Sequence, residues 1–296
     1  WHYHDLHTNN QNLEGYLHTA DSLYGVSNSL DDFNRKIQLI NYDSHRAIFE
    51  AWNNKLWNNS SGVLLWMSHP AWPSMIWQTY SWDFQTHGSF YGSKKGCEPL
   101  HIQLNLHNNQ VIAVNTSLNN VKDATAVMQV YTMDGKLLQN KTAPLTIQAN
   151  AKADVFTATL DEASLPANYF VRLWLKDQKG NVLAANEYWK ANTATGHFKV
   201  FNQLPVVTLS SKAVRLANNQ IKIELENNNK HPAVGIKLDE LDNAAQIVLP
   251  AYFSDGYFTL LPGEKKTILL EPVDTKVIKE IKVAGYNLTG TVSIKN

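Results

Sequence analysis

The stretch Gly62-Val63-Leu64-Leu65-Trp66-Met67 decides how this chain is read. A short, unbroken apolar run behind a glycine matches a strand buried on both faces, as in a parallel sheet. What precedes it agrees. Leu30, Phe33, Ile37, Ile40, Ile48, Ala51 and Trp52 recur at three- and four-residue steps and predict an amphipathic helix from Ser29 to about Leu56. Ser29 stands where an N-cap belongs, with Asp32 three residues on. Asp31 and Asp32 fall in the first turn and Lys55 near the end, as the helix dipole favours. Ser60-Ser61-Gly62 then breaks the helix. Helix, turn and doubly buried strand make an α/β unit.

Parallel α/β folds carry their sites on the loops after the C-terminal ends of their strands. Residues 68–84 occupy that place and are crowded with Trp72, Trp77, Tyr80 and Trp82. Tryptophan offers a flat apolar face with a polar edge, which suits stacking on a sugar ring as well as core packing. A short helix is expected around residues 87–97. Residues 1–28 are polar, show no period and read as a loop. Within them His2, His4 and His7 stand beside Asp5, but no second cluster has ligand spacing, so no metal is expected.

From Leu100 the period drops to two. Leu100, Ile102, Leu104 and Leu106 alternate with His101, Gln103 and Asn105, a half-buried strand. Further strands are predicted at 111–114, 127–131, 155–160, 170–175 and 182–189. Met133-Asp134-Gly135-Lys136 and Gln178-Lys179-Gly180-Asn181 are hairpin turns between them. That spacing suits a β-sandwich of about 100 residues. After a Gly/Thr/Asn-rich stretch at 191–196, strands at 221–225, 234–238, 247–249, 257–261 and 266–270 predict a second one, with a turn at Pro262-Gly263.

Composition narrows the function. Charged residues make up 18% and hydrophobic ones 44% of 296 residues, with a formal net charge of zero. No basic footprint for nucleic acid or anionic membrane exists, and no apolar run approaches the ~20 residues of a membrane span. A single cysteine, Cys97, excludes an internal disulfide framework and a thiolate-rich zinc site. Nothing matches a nucleotide-binding loop, so no cofactor is expected.

The segment Ser61-Gly62-Val63-Leu64-Leu65-Trp66-Met67-Ser68-His69-Pro70-Ala71-Trp72-Pro73-Ser74-Met75-Ile76-Trp77 resembles the eighth barrel strand and following loop of glycoside hydrolase family 2, in its exo-β-D-glucosaminidase and endo-β-mannosidase branches. The likeness extends through Phe90-Tyr91-Gly92 and Cys97-Glu98-Pro99-Leu100. It returns at Tyr252-Phe253-Ser254-Asp255-Gly256-Tyr257-Phe258 and Leu261-Pro262-Gly263-Glu264, which look like the last immunoglobulin-like domain of the β-mannosidase group. The resemblance implies a multidomain α/β plus all-β chain. Residues 1–99 would be the C-terminal portion of a (β/α)8 TIM barrel, and 100–198 and 199–296 two immunoglobulin-like β-sandwiches. A parallel barrel needs about 250 residues. The chain is therefore expected to lean on a missing N-terminal part of the same polypeptide.

The implied chemistry is retaining hydrolysis by two glutamates about 5–5.5 Å apart. In this family they come from barrel strands four and seven, so both are expected upstream of Trp1. Glu14, Glu50 and Glu98 fit neither place, and this chain alone is expected to be inactive. An oligosaccharide substrate would meet Trp66, implied as part of the subsite wall, together with His69, Trp72, Trp82 and Asp83, the only acid of the aromatic loop. His69 departs from the asparagine that the glucosaminidases tend to carry there. At least two of Trp72, Trp77, Tyr80 and Trp82 are expected to pack the loop against the first sandwich. The competing reading is a non-catalytic carbohydrate-binding or scaffold module, for which a parallel-barrel strand has no use.

Overall fold

The structure, a computed structural model, describes residues 13–74, 78–161, 163–273 and 278–295. His2, His4, His7 and Trp77 lie outside them. Two compact units emerge. One holds Ser44–Leu65 and Gly92–Gly196; the other holds the residues up to Asp43, Trp66–Tyr91 and His197 onward.

The first unit is built on a sandwich. A three-stranded sheet joins β1 (Leu100–Leu104), β2 (Gln110–Asn115) and β5 (Ala151–Thr157). A four-stranded sheet runs in the order β4 (Leu137–Ile147), β3 (Val121–Thr132), β6 (Asn168–Lys176) and β7 (Val182–Ala191). All pairings are antiparallel. Between the sheets lie Ile102, Leu104, Val111, Met128, Val130, Val171, Leu173 and Leu175. Truncating one such leucine to alanine costs about 2–5 kcal/mol. The predicted strands are present. β4 escaped prediction because it is an edge strand carrying Gln139, Asn140, Lys141 and Pro144, a composition that blunts an edge and hides its period.

The second unit carries β8 (Ser210–Arg215), β9 (Ile221–Glu226), β10 (Ala233–Leu241), β11 (Ala251–Phe253), β12 (Phe258–Leu260), β13 (Lys265–Pro272), β14 (Glu280–Ala284) and β15 (Thr289–Lys295). Their order is β11-β13-β9-β8-β15-β14-β10-β12, with one parallel pairing, β15 to β8. Ile221, Ile223, Leu225, Ile236, Ile268, Leu270 and Ile281 are buried. The expected strand at 247–249 is a single bridge, Ile247 to Leu241. A bulge in β10 falls between Ala233 and Ile236, where Gly235 has φ +64°. A Cβ there would come within 2.8 Å of the Leu39 side chain, so both the conformation and the contact require glycine.

Three helices precede or interrupt these sheets: α1 (Leu13–Tyr24), α2 (Leu30–Asn53) and α3 (Gly88–Gly96). α1 corrects the expected loop: Tyr16, Ala20 and Tyr24 recur every four residues, and Tyr24 joins Phe198, Phe201 and Tyr286 in an aromatic cluster. α2 opens as predicted, with the Asp32 N–H donating to Ser29 Oγ at 3.1 Å and Asp32 accepting from the Asn28 N–H. Its orientation is the surprise. Of the stripe expected to face a core, Leu30, Ile48, Ala51 and Trp52 are exposed, Ile37 and Ile40 are half-buried, and Phe33 is buried. The buried face carries Phe33, Lys36, Leu39, Tyr42, Arg46 and Glu50.

Those charges are satisfied within their own units. Lys36 donates to the carbonyls of Gly25 and Val26, closing the end of α1, and pairs with Asp32 at 2.8 Å. In the first unit Glu50 Oε1 accepts from Asn186 Nδ2 at 2.7 Å, the Tyr188 hydroxyl at 2.9 Å and His101 Nε2 at 3.1 Å. The Arg46 guanidinium lies over the Tyr188 ring, 4.2 Å from its centroid. Burial opposes a charge on His101, but hydrogen bonds to Glu50 and Glu98 outweigh it and raise its pKa.

The expected strand at 63–67 has no strand partner and forms no strand. Leu64 is 98% exposed and Trp66 78% exposed. Nothing among the described residues supplies the neighbouring strands that would cover it.

Glu50→Ala should destabilise the first unit by about 3–5 kcal/mol in urea unfolding, because it strands Arg46 and three donors. Because the folded pKa of His101 is raised, its contribution is complete below about pH 6.5 and lost as pH rises through the folded value. His101→Gln should flatten that fall. A second acid behaves oppositely to its neighbours: Glu240 is fully buried, neither oxygen has a hydrogen-bond partner, and burial pushes its pKa up to about 8. Protonated when folded and ionised when unfolded, it should cost the second unit stability progressively from about pH 4.5 to pH 8, up to a few kcal/mol. Calorimetry should find Glu240→Leu stabilising, and more so at pH 8 than at pH 5.

Candidate functional site

Residues 66–74 and 78–87 belong to the second unit and form neither a helix nor a named strand. Ser68 holds the neck of this loop: the carbonyl accepts the Thr79 N–H at 3.1 Å, the Tyr80 N–H at 3.0 Å and the Thr79 hydroxyl. Between these points Trp72 is exposed. Trp66 stands at the head of the loop, followed by Met67 in the left-handed region at φ 58°.

The second half of the loop is a tight turn. The Ser81 N–H donates to the Gln85 carbonyl at 3.1 Å and the Phe84 N–H to the Ser81 carbonyl at 3.0 Å. Phe84 takes φ +65°, a left-handed conformation rare for a bulky residue. The Ser81 hydroxyl donates to Asp83 Oδ1 and accepts the Gln85 N–H at 3.1 Å. Trp82 and Asp83 therefore sit at the tip, both exposed.

His69 reaches this tip from the first half. Its Nε2 lies 3.1 Å from the Trp82 carbonyl, a contact that assigns the proton to Nε2, and its ring stacks on Phe84 at 4.2 Å and 11°. With Nε2 so engaged, Nδ1 is the face left to meet a ligand hydroxyl. Of the residues read from the sequence, the structure brings His69, Trp82 and Asp83 together. Trp66 and Trp72 lie in the same stretch, both exposed. Phe84 was missed: its role depends on a positive φ and a ring stack, neither of which a sequence period encodes. Ser81 and Asp83 flanking the turn were the available signal.

The base of the turn rests on the second sandwich. Gln85 Nε2 donates to Asp239 Oδ1 on β10 at 3.3 Å. The Thr86 hydroxyl donates to the Ala251 carbonyl at 3.4 Å and lies 3.2 Å from the Tyr91 hydroxyl. Tyr91 packs against Gly256, where a Cβ would stand 2.9 Å from its ring, and against Tyr257. The turn is thus fixed to the second sandwich through Gln85 and Thr86. Beside the loop, a groove of about 470 Å³ is lined by Leu30, Phe33, Ile37, Pro70, Tyr80 and His87. No group of three metal-ligating side chains occurs among the described residues, and no described helix is long and apolar enough to cross a membrane.

Comparison with known proteins places the two sandwiches. Residues 107–193 match the mannosidase Ig/CBM-like domain, and residues 186–288 match the exo-β-D-glucosaminidase Ig-fold domain. An exo-β-D-glucosaminidase of Hypocrea jecorina is 30% identical over 295 residues, covering 90% of this chain and 33% of the relative. A mannosylglycoprotein endo-β-mannosidase of Lilium longiflorum is 25% identical over 97% of this chain and 37% of its own length. The chain thus spans about a third of the length of these curated relatives. The crystal structure of an exo-chitosanase from Amycolatopsis orientalis superposes with a TM-score of 0.86 at 28% identity, covering 97% of this chain and 38% of that one. A β-D-mannosidase from Dictyoglomus thermophilum shares the fold, with a TM-score of 0.72 at 19% identity. The chain carries the immunoglobulin-fold domains of the exo-β-D-glucosaminidase and mannosidase groups of glycoside hydrolase family 2.

Proposed function

We propose that this chain is the C-terminal third of a retaining β-glycoside hydrolase, with residues 1–99 completing its catalytic barrel, 100–198 and 199–296 forming the two sandwiches, and both catalytic glutamates upstream. The observation that carries this reading is the orphaned apolar surface. Leu64, Leu65, Trp66 and Met67 are exposed in sequence, and so are Leu30, Ile48 and Trp52 along α2. A run of exposed apolar residues such as 64–67 marks an interface. A helix stripe and an apolar extended run are the two surfaces that the end of a (β/α)8 barrel turns toward its other staves. The greater length of the relatives agrees.

In this reading the loop 66–84 borders the sugar site. Trp66, Trp72 and Trp82 offer ring faces, His69 a hydrogen bond to a hydroxyl, and Asp83 the loop's carboxylate. The substrate is an oligosaccharide ending in β-linked glucosamine, the sugar named in the domain description matched by residues 186–288. A glucosamine ammonium calls for an anionic neighbour, which Asp83 supplies. β-Linked mannose is the second reading, favoured by the match at 107–193. A non-catalytic carbohydrate-binding module would leave the apolar run without purpose.

Two measurements test this. Residues 1–296 alone should turn over neither aryl β-D-glucosaminide nor aryl β-D-mannoside, whereas the parent polypeptide should hydrolyse the glucosaminide; turnover by 1–296 would refute the placement of the glutamates. Leu64→Asp should change the stability of 1–296 by less than about 0.5 kcal/mol, since the side chain is already in solvent. In the parent it should cost several kcal/mol, as a charge in a barrel core must; equal effects in both would remove the barrel reading. For the sugar, Asp83→Asn in the parent should lower kcat/KM on glucosaminide about tenfold and on mannoside much less. An equal loss on both would discard the ammonium role.

A further inference from the structure

The turn that presents Trp82 and Asp83 is not self-supporting. Its own hydrogen bonds close Ser81 onto Gln85, but its orientation depends on what Gln85 and Thr86 hold. Gln85 reaches Asp239, a buried residue of β10 whose carboxylate also accepts from Lys237 Nζ at 2.8 Å. Thr86, itself buried, is fixed to the Ala251 carbonyl and to Tyr91. Asp239 Oδ1 is thus shared between a cation of its own strand and one amide of the loop. A side-chain amide donates where a carboxylate accepts, so the pairing is directional and chemically specific. Moving Gln85 would carry with it the Ser81–Asp83 bond, the left-handed Phe84 and the stack that holds His69.

We propose that Gln85 and Asp239 form a positioning latch through which strand β10 of the second sandwich sets the loop that meets the sugar, making this sandwich a determinant of substrate binding. The latch rests on the reading of 66–84 as the sugar loop. Gln85 and Asp239 are positioning residues: neither is exposed at the tip, and each acts through Trp82, Asp83 and His69. This gives the second immunoglobulin-like domain a task in the site beyond covering α1 and α2.

The test uses Gln85→Glu, which sets a second carboxylate against Asp239, and the double variant Gln85→Glu/Asp239→Asn, which restores a donor opposite an acceptor. In 1–296, hydrogen exchange at the Phe84 and Gln85 amides should speed up at least tenfold in the single variant, with the melting temperature of the sandwich unchanged, and return toward the parent rate in the double. In the parent polypeptide, Gln85→Glu should raise KM for aryl β-D-glucosaminide about tenfold with kcat little changed, and the double variant should recover most of it. Trp82→Ala, measured alongside, separates the two ideas. If Trp82→Ala leaves KM intact, the sugar-loop reading fails and takes the latch's role in binding with it. If Trp82→Ala raises KM while Gln85→Glu alters neither amide exchange nor KM, the loop reading stands and the latch is overturned. A loss in kcat and KM alike that the double variant does not rescue would also overturn it, as simple damage to the fold.

Discussion

Within each unit the packing depends on one constraint: helix α2 buries charged residues, Lys36, Arg46 and Glu50, alongside Phe33, Leu39 and Tyr42. A helix offers a single stripe to each neighbour, and ordinary amphipathicity would spend the apolar stripe on the sandwiches. Here the buried face is mixed. Lys36, Arg46 and Glu50 go inward, each matched by carbonyls, amides or an opposite charge, while Leu30, Ile48 and Trp52 stay outside. Buried charge is tolerable only with such partners, and removing one is costly. That expense has a physical sense if the apolar stripe is reserved for another surface. Polar networks with fixed donors and acceptors hold one register where an apolar contact would slide.

The two sandwiches differ in how they use this principle. In the first unit, a single carboxylate oxygen of Glu50 gathers an amide, a phenol and an imidazole, and the network extends through Glu98 to Lys95 at 2.7 Å. In the second, an ammonium performs the equivalent task, with Lys36 closing the end of α1. Arg35 adds a hydrogen bond to the Tyr286 carbonyl at 2.8 Å and lies over its ring. Glu240 is the contrast that shows what the partners achieve: a buried carboxyl without them stays protonated far above its ordinary range.

Much of this was legible in the sequence, and the failures have causes. Apolar patterning located β1, β2, β6, β7, β9 and β13: β9 and β13 bury one face, whereas β1, β2 and β6 prove buried on both, His101 and Gln103 included. It missed β4, β8, β14 and β15, where lysines, threonines and serines leave little apolar contrast. Periodicity found α2 and its Ser29 cap but misjudged its facing. The apolar stripe was real, yet nothing in a helical wheel says which neighbour is present to cover it. The same ambiguity explains residues 63–67: their composition speaks of a buried strand, while their surroundings among the described residues leave them in solvent.

The site divides along similar lines. The density of tryptophan before residue 84 singled out this loop, and His69 does reach the Trp82 carbonyl next to Asp83. What the sequence could not express was the origin of their order. It comes from Phe84 held at a positive φ, from an imidazole stacked on it, and from Asp239, 154 positions farther along the chain from Gln85. Pairings of that separation leave no local signature. Under the proposed reading they give a sandwich with no acid or base aimed at a substrate a part in binding one. A loop rich in aromatic faces binds only as well as its rotamers and backbone are fixed beforehand, since every degree of freedom frozen on binding is subtracted from affinity. Residues that do the freezing in advance need never touch the sugar.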